Sequence, residues 1–229
     1  MIRFVVRRTN LAPLRQLLLQ SSYFWLTMPG VVKVPDLAKT VVPFLWVVLL
    51  LSPAYSQRSA LVAPTNIGVL SRQAATIVHG RIVSVKVEPH PELSNLTTVV
   101  VTMNVTETLK GGAVKELTFR QFIWDIRDKY DAAGYQKGQE LLLLLNATSQ
   151  YGLTSPTGMD QGRFRISRDL KGNVSALNGH GNLGLFANLS LPAGTKFSTK
   201  TSSVIARHRG GPVSLDALQE VIGRLAENK

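Results

Sequence analysis

From residue 76 to residue 122 the chain alternates between apolar and polar side chains, broken only at Pro89-His90-Pro91 and Lys110-Gly111-Gly112. Alternation with period two predicts strands with one buried face. In residues 76–88, Ile77, Val83, Val85 and Val87 are read onto one face, with Ser84, Lys86 and Glu88 on the other. In residues 96–109, Val99, Val101, Met103, Val105 and Leu109 oppose Thr98, Thr102, Asn104, Thr106 and Thr108, and only Val100 breaks the pattern. Residues 115–122 continue it through Leu117 and Phe119. Consecutive strands joined by such short breaks predict an antiparallel meander.

Residues 125–138 are polar and contain glycine, which predicts a surface loop. Next come five consecutive leucines, Leu141 to Leu145. The run is too short to span a bilayer and suits a strand covered on both faces. Leucine also favours helices, but Lys137-Gly138 before it and Asn146-Ala147-Thr148-Ser149 after it punctuate tightly and favour the strand. Residues 161–168 read as a strand with Phe164 and Ile166 inward and Arg163 and Arg165 outward, and Lys171-Gly172-Asn173 turns it into residues 174–177. Residues 178–212, rich in Gly, Asn, Ser and Thr, read as one long loop. Ser214 then caps a helix over 215–226, whose Leu215, Leu218, Val221, Ile222 and Leu225 form an apolar stripe. A short helix is expected over 67–75, after a spacer at 57–66. The pattern predicts a mainly β fold: a single small antiparallel, OB-like β-barrel in residues 67–229, with a short N-terminal helix and a C-terminal amphipathic helix.

The chain before residue 57 has another character. Residues 41–51 are eleven without a charge, preceded by Lys33 and Lys39 and followed by Ser52-Pro53-Ala54-Tyr55-Ser56. A basic end, a short apolar segment and small residues at Ala54 and Ser56 predict a signal peptide cleaved between Ser56 and Gln57. A start at Met28 would give this leader an ordinary length of 29 residues. Arg7-Arg8 admits a twin-arginine reading, and an uncleaved membrane anchor is the other alternative. The expected location is therefore secreted or periplasmic, with transient membrane contact through the leader.

Composition narrows the chemistry. The chain has no cysteine, which excludes disulfides, thiolate zinc sites and thiol nucleophiles. Residues 57–229 carry 20 basic and 13 acidic side chains, a net +7. That balance suits an anionic polysaccharide or lipid partner, and equally ordinary solubility. His79, His90, His180 and His208 stand singly, with no metal-ligand spacing. Asp125, Asp128 and Asp131 have a suggestive spacing but are interleaved with Arg127 and Lys129 and lack the glycine and glutamate of a calcium loop. Phe122, Trp124 and Tyr130 beside these charges form the best candidate recognition patch. Arg163 and Arg165, near Arg168 and Lys171, are a second candidate surface, and export argues against nucleic acid there. The Asn-x-Ser/Thr sites at Asn95, Asn104, Asn146, Asn173 and Asn188 are read as chance. No serine-hydrolase elbow, phosphate loop or dinucleotide motif occurs. No cofactor and no metal are expected.

Four runs carry a resemblance: Ala75-Thr-Ile-Val-His-Gly-Arg-Ile-Val-Ser-Val85, Val105-Thr-Glu-Thr-Leu-Lys-Gly111, Lys137-Gly-Gln-Glu-Leu-Leu-Leu-Leu-Leu145 and Gln161-Gly-Arg-Phe-Arg165. Together, over residues 67–177, they resemble a family of uncharacterised bacterial exported proteins. The strand order is distantly similar to the netrin-like, OB-type barrels of tissue metalloprotease inhibitors. That resemblance implies the barrel alone, because the inhibitory edge of those proteins needs an N-terminal cysteine and disulfides. The expected function is a non-enzymatic exported module binding an envelope protein or an anionic surface. The alternative is an extracytoplasmic hydrolase with a site near His180 and residues 125–131. N-terminal sequencing of the exported protein is expected to begin at Gln57; a mature chain retaining residues 41–51 would show an uncleaved anchor instead.

Overall fold

A computed structural model describes residues 63–191 and 194–226, so the expected leader, its expected cleavage between Ser56 and Gln57 and residues 57–62 of the spacer lie outside the described residues. The rest of the spacer is tied down. Thr65 N donates to Gln161 Oε1 at 2.7 Å, and Gln161 Nε2 donates to Ala63 O at 3.1 Å. Asn66 then opens helix α1 (Ile67–Gln73), its side-chain oxygen accepting from Val69 N at 3.0 Å. The far end of α1 is closed by Lys110, the last residue of strand β2 (Thr97–Lys110). Its ammonium donates to the carbonyls of Ser71 at 2.7 Å, Arg72 at 3.1 Å, and Ala74. A cation against the final carbonyls of a helix satisfies acceptors that have no partner within the helix.

Strand β1 (Thr76–Pro89) pairs with β2 on one side and β4 (Glu140–Leu145) on the other. With β3 (Glu116–Phe122), β5 (Arg163–Arg168), β6 (Val174–Asn178) and β7 (Val213–Ser214), the sheet runs β3-β2-β1-β4-β5-β6-β7, antiparallel throughout. The predicted meander, the leucine strand and the β5–β6 hairpin are all present.

The sheet separates two cores. On one face, Ile77, Leu142, Leu144, Phe164 and Ala176 pack with Ile67 and Leu70 of α1 and with Leu218, Val221 and Ile222 of helix α4 (Leu215–Ala226). On the other, Val78, Ile82, Val99, Val101, Met103, Phe119 and Tyr135 surround Leu141, Leu143 and Leu145. The leucine run is thus a strand buried on both sides, its residues alternating between the cores. Strands β1 and β2, 14 residues each, are roughly 46 Å long. They cross from one core to the other because their register shifts at Ile77/Val78, His79/Gly80 and Ile82/Ser84. A bulge moves the later side chains of the strand that carries it to the opposite face: Val83, unpaired between Ile82 and Ser84, does so in β1, and Thr106 and Leu109 do so in β2. For that reason Ile77 belongs to the first core while Val85 and Val87 pack on the second, which corrects the single face read for residues 76–88.

Three further expectations are corrected. The sheet is not closed: β3 and β7 are its two edges. Residues 153–157 span from β3 to β4 only by separate bonds, Thr154 N to Arg120 O at 2.9 Å, Asn146 N to Ser155 O at 3.0 Å and Thr157 N to Leu144 O at 2.7 Å. Pro156 has no N–H to offer and Gly152 turns the chain at φ 71°, so this segment cannot run as a closing strand. The loop at 125–138 holds helix α2 (Ile126–Tyr130) and a 3-10 turn at Ala132–Gly134. The loop at 178–212 holds helix α3 (Thr199–Arg207), capped by Ser198, with Val204 and Ile205 packed on the first core. Three consecutive apolar residues, Val204, Ile205 and Ala206, in an otherwise polar nonapeptide give too little periodicity to announce a helix.

Gly80 is the tightest point of the β1–β2 pair, where an added Cβ would lie 2.1 Å from Asn104 O. Gly80→Ala is expected to destabilise the fold by about 3 kcal/mol or more, since a backbone oxygen held in a ladder cannot give way. Gly112→Ala, which meets nothing within 4 Å, is expected to be near neutral. Urea denaturation of the two variants checks both.

Candidate functional site

The sequence singled out two surfaces, and the structure treats them differently. After β3 the chain passes Trp124 and enters α2. Asp125 caps that helix, accepting from Arg127 N at 2.9 Å, and its carboxylate takes Arg127 Nε at 3.0 Å on Oδ1 and 2.9 Å on Oδ2, with Nη2 also on Oδ2. The first aspartate of the suggestive triplet is therefore spent on helix geometry. Among the described residues no group of three or more His, Asp or Glu is placed to hold a metal. The Phe122 and Trp124 rings meet edge to face, centroids 4.8 Å apart. Trp124 is 81% exposed and Tyr130 87%. Two large amphipathic rings stand in water on one short, capped segment.

Arg163 faces inward, contrary to the outward reading. It lies on the same sheet face as Leu141 and Leu143, opposite Leu143 in the ladder. Its Nη1 donates to Ala133 O at 2.6 Å and its Nη2 to Asp160 Oδ1 at 2.5 Å, while the guanidinium carbon sits 4.9 Å from the Tyr135 ring centroid. Tyr135 donates in turn to Gln121 Oε1 at 2.8 Å, and burial pushes its phenol up to about 12 against the opposing pull of Arg163. Arg163 thus plugs the end of the second core. It also pins the turn after α2, where Ala132 and Ala133 hold left-handed φ of 52° and 54°, a conformation that costs non-glycine residues about 1 kcal/mol or more each. It helps position the aromatic segment. Arg165, two residues on, is exposed.

A cluster that the sequence did not reveal centres on Glu140. Its carboxylate accepts from Arg168 Nη1 at 2.5 Å and Nη2 at 3.0 Å and from Arg81 Nη2 at 2.9 Å, and lies 3.0 Å from His79 Nε2. The side chains of His79 and Glu140 are each only 10% exposed. Bonding from Arg168, then from His79, holds the Glu140 carboxyl below its usual range despite the opposing effect of burial. The four residues come from three segments far apart in sequence; ladder register sets Arg81 opposite Glu140 and His79 opposite Leu142, and Arg168 reaches over from the end of β5. The one visible signal was a carboxylate immediately before a fully apolar strand. Its bonds join β1, β4 and β5, which makes it a clamp across the three strands.

The other histidines are structural or loop residues. His90 is buried, its Nε2 2.7 Å from Tyr151 O and its Nδ1 accepting from Glu92 N and Leu93 N at 3.2 Å. His180 occupies a tight turn whose N–H donates to Asn178 Oδ1 at 3.0 Å. That turn follows β6, whereas Asp125, Asp128 and Asp131 follow β3, with β2, β1, β4 and β5 between them in the sheet. His208 packs edge-on against Phe186, centroids 5.4 Å apart, and burial lowers its basicity. A half-open cavity of about 250 Å³ lies along the β3 seam, lined by Thr118, Arg120, Asn146, Thr148 and Thr154. Arg120 is already committed there, to Glu88 Oε1 and Thr98 Oγ1, each at 2.7 Å.

The recurring runs of the sequence prove to be joints of the fold: Gly80 at a backbone contact, Lys110 capping α1, Gln161 gripping residues 63–65, Phe164 in the first core. Gly162 belongs with them, since a Cβ there would come 2.4 Å from Thr157 O. In comparisons with known proteins, no family model, no curated protein and no solved structure matches the chain. Among the described residues no helix is long and apolar enough to cross a membrane.

Glu140→Gln is expected to cost about 2 kcal/mol, the worth of charge-assisted bonds to partly exposed partners. A carboxyl whose folded-state pKa is depressed contributes stability that is complete above its ordinary value of 4.5 and fades as pH falls through the folded value. The gap between wild type and Glu140→Gln should therefore be full at neutral pH and shrink below pH 4.5. Denaturant midpoints measured across that range check it.

Proposed function

We propose that the chain is an exported, non-enzymatic binding module that recognises a protein in the cell envelope through Phe122, Trp124 and Tyr130. The observation that carries this reading is the 81% and 87% exposure of Trp124 and Tyr130 on a segment held by the Asp125 cap and by Arg163. Exposed aromatics on a pre-formed support are what contact surfaces use, because they bury much area while losing little side-chain entropy. With Arg163 engaged in the core and Arg168 bound to Glu140, the second candidate surface keeps Arg165 and Lys171, and the balance shifts from an anionic surface toward a protein. Export rests on the leader pattern, and the likeness to bacterial exported proteins on the four runs that build the joints.

The same reading includes an OB-like ancestry for the half of the sheet formed by β1 to β4. Its support is the ring of Val, Met, Phe and Leu side chains that fills the second core, together with the bonds of residues 153–157 across the seam.

Trp124 is the sole tryptophan of residues 57–229, so the processed protein reports on this surface directly. Its fluorescence is expected to have the long-wavelength emission of a water-exposed indole and to move to shorter wavelength when envelope proteins are added. Trp124→Ala and Tyr130→Ala should each weaken capture of the partner about 30-fold, as a hot-spot loss near 2 kcal/mol implies, with unchanged thermal stability. Unaltered emission, together with undiminished capture by both variants, would remove the reading.

A further inference from the structure

After α3 the chain reads Arg207-His208-Arg209-Gly210-Gly211-Pro212. This segment walls an open hollow of about 550 Å³ whose polar lining consists of Ser203, Arg207, His208, Arg209 and Ser214. Among the described residues no carboxylate lines it. The two acids of α4 are turned to the opposite end of α3: Glu220 accepts from Ser198 and Thr201, and Asp216 lies 3.9 Å from Lys200.

The segment is held firmly. His208 N donates to Val204 O at 2.8 Å and Gly211 N to Gly181 O at 2.7 Å, while Asn182 Nδ2 donates to Gly211 O at 2.9 Å. Gly211 sits at φ 83°, a left-handed conformation that suits glycine. Arg209 Nη1 donates to Ala206 O and His208 O, both at 2.9 Å, which fixes the guanidinium and leaves its other N–H groups to spare. Arg207 is exposed and makes no hydrogen bond or ion pair among the described residues. The Nε2 of His208 is out of water and without a hydrogen-bond partner.

Two guanidinium groups and the Ser214 hydroxyl border the hollow, while the Ser203 hydroxyl already donates to Lys200 O at 3.0 Å, so the free groups around it are mainly cationic donors. From this arrangement we infer that the hollow is an oxyanion site, taking a phosphate monoester between Arg207 and Arg209 with Ser214 as a further donor. A tetrahedral oxyanion presents paired oxygens to each guanidinium fork, and such charge-assisted, bidentate bonds are stronger than neutral ones. One arginine is already immobilised by backbone carbonyls, so part of the ordering cost is met before the ligand arrives. The phosphate can be free or displayed on a lipid headgroup. This site lies apart from the α2 surface, and its failure would leave the protein-binding reading untouched.

The test titrates the purified exported protein with inorganic phosphate, reading the His208 ring resonances by NMR and the thermal midpoint. A parallel arm uses phosphatidylcholine vesicles with and without phosphatidic acid. The expected result is a saturable shift of the His208 signals and a raised midpoint with phosphate, weakened at least tenfold in Arg207→Gln and in Arg209→Gln. Arg207→Gln removes no intramolecular bond, so it keeps the test readable if Arg209→Gln fails to fold. Co-sedimentation with the phosphatidic acid vesicles alone, lost in Arg207→Gln, assigns the source to a headgroup; a response to phosphate without it assigns the free anion. A response matched by chloride at equal ionic strength, or undiminished in Arg207→Gln, or absent in both arms, overturns the site.

Discussion

The whole fold depends on burying one strand from both sides. Strand β4 sends Leu142 and Leu144 into the helix-covered core and Leu141, Leu143 and Leu145 into the core opposite. A strand covered on both faces has no solvent side on which to place a polar residue, and this explains the uninterrupted leucines. Fully burying each such side chain contributes about 1.5–3 kcal/mol. In a chain without cysteine this burial takes the role that disulfides often play in exported domains. The flanking devices hold register around it. Gly80 allows β1 to close on β2, Lys110 locks α1 to the end of β2, and Glu140 clamps Arg81 and Arg168 just before the leucines begin.

Much of this was legible in advance because alternation is a local property. The strands at 76–88, 96–109 and 115–122, the β5–β6 hairpin and the C-terminal helix were each written in a short window of sequence. What escaped was non-local. A bulge adds one residue to one strand and reverses the facing of all that follow, yet it leaves the hydrophobic pattern almost unchanged; hence Ile77 and Val85 were given one face. Closure depended on whether residues 146–157 could run as a strand, and Pro156 with Gly152 prevented it. Helix α3 was hidden by its polarity, since only Val204 and Ile205 reach the core.

The candidate surfaces divide in the same way. Trp124 and Tyr130 could be found because large aromatic rings among charges are conspicuous wherever the chain puts them. Arg163 misled because an arginine in an alternating strand is normally the solvent-facing partner. Here Tyr135, Asp160 and the Ala133 carbonyl give it a ring, a counter-charge and an acceptor, enough to bring a guanidinium indoors. The Glu140 cluster draws on residues 61 and 28 positions away, and no spacing rule within one element could have announced it. The four runs that carry the expected resemblance turn out to be mechanical parts of the scaffold. They therefore speak about how the chain is built and leave its partners to be read from what stands outside those runs.

The seam between β3 and β4 has a consequence for how the molecule yields. Residues 153–157 are fastened by separate backbone bonds and by His90 gripping the carbonyl of Tyr151, whereas β1 and β4 cannot part without exposing both cores. Free energies of local opening follow such differences in buried contact. The chain is therefore built to open along this seam at lower cost than along the leucine strand behind it, which stays shut until the entire domain melts.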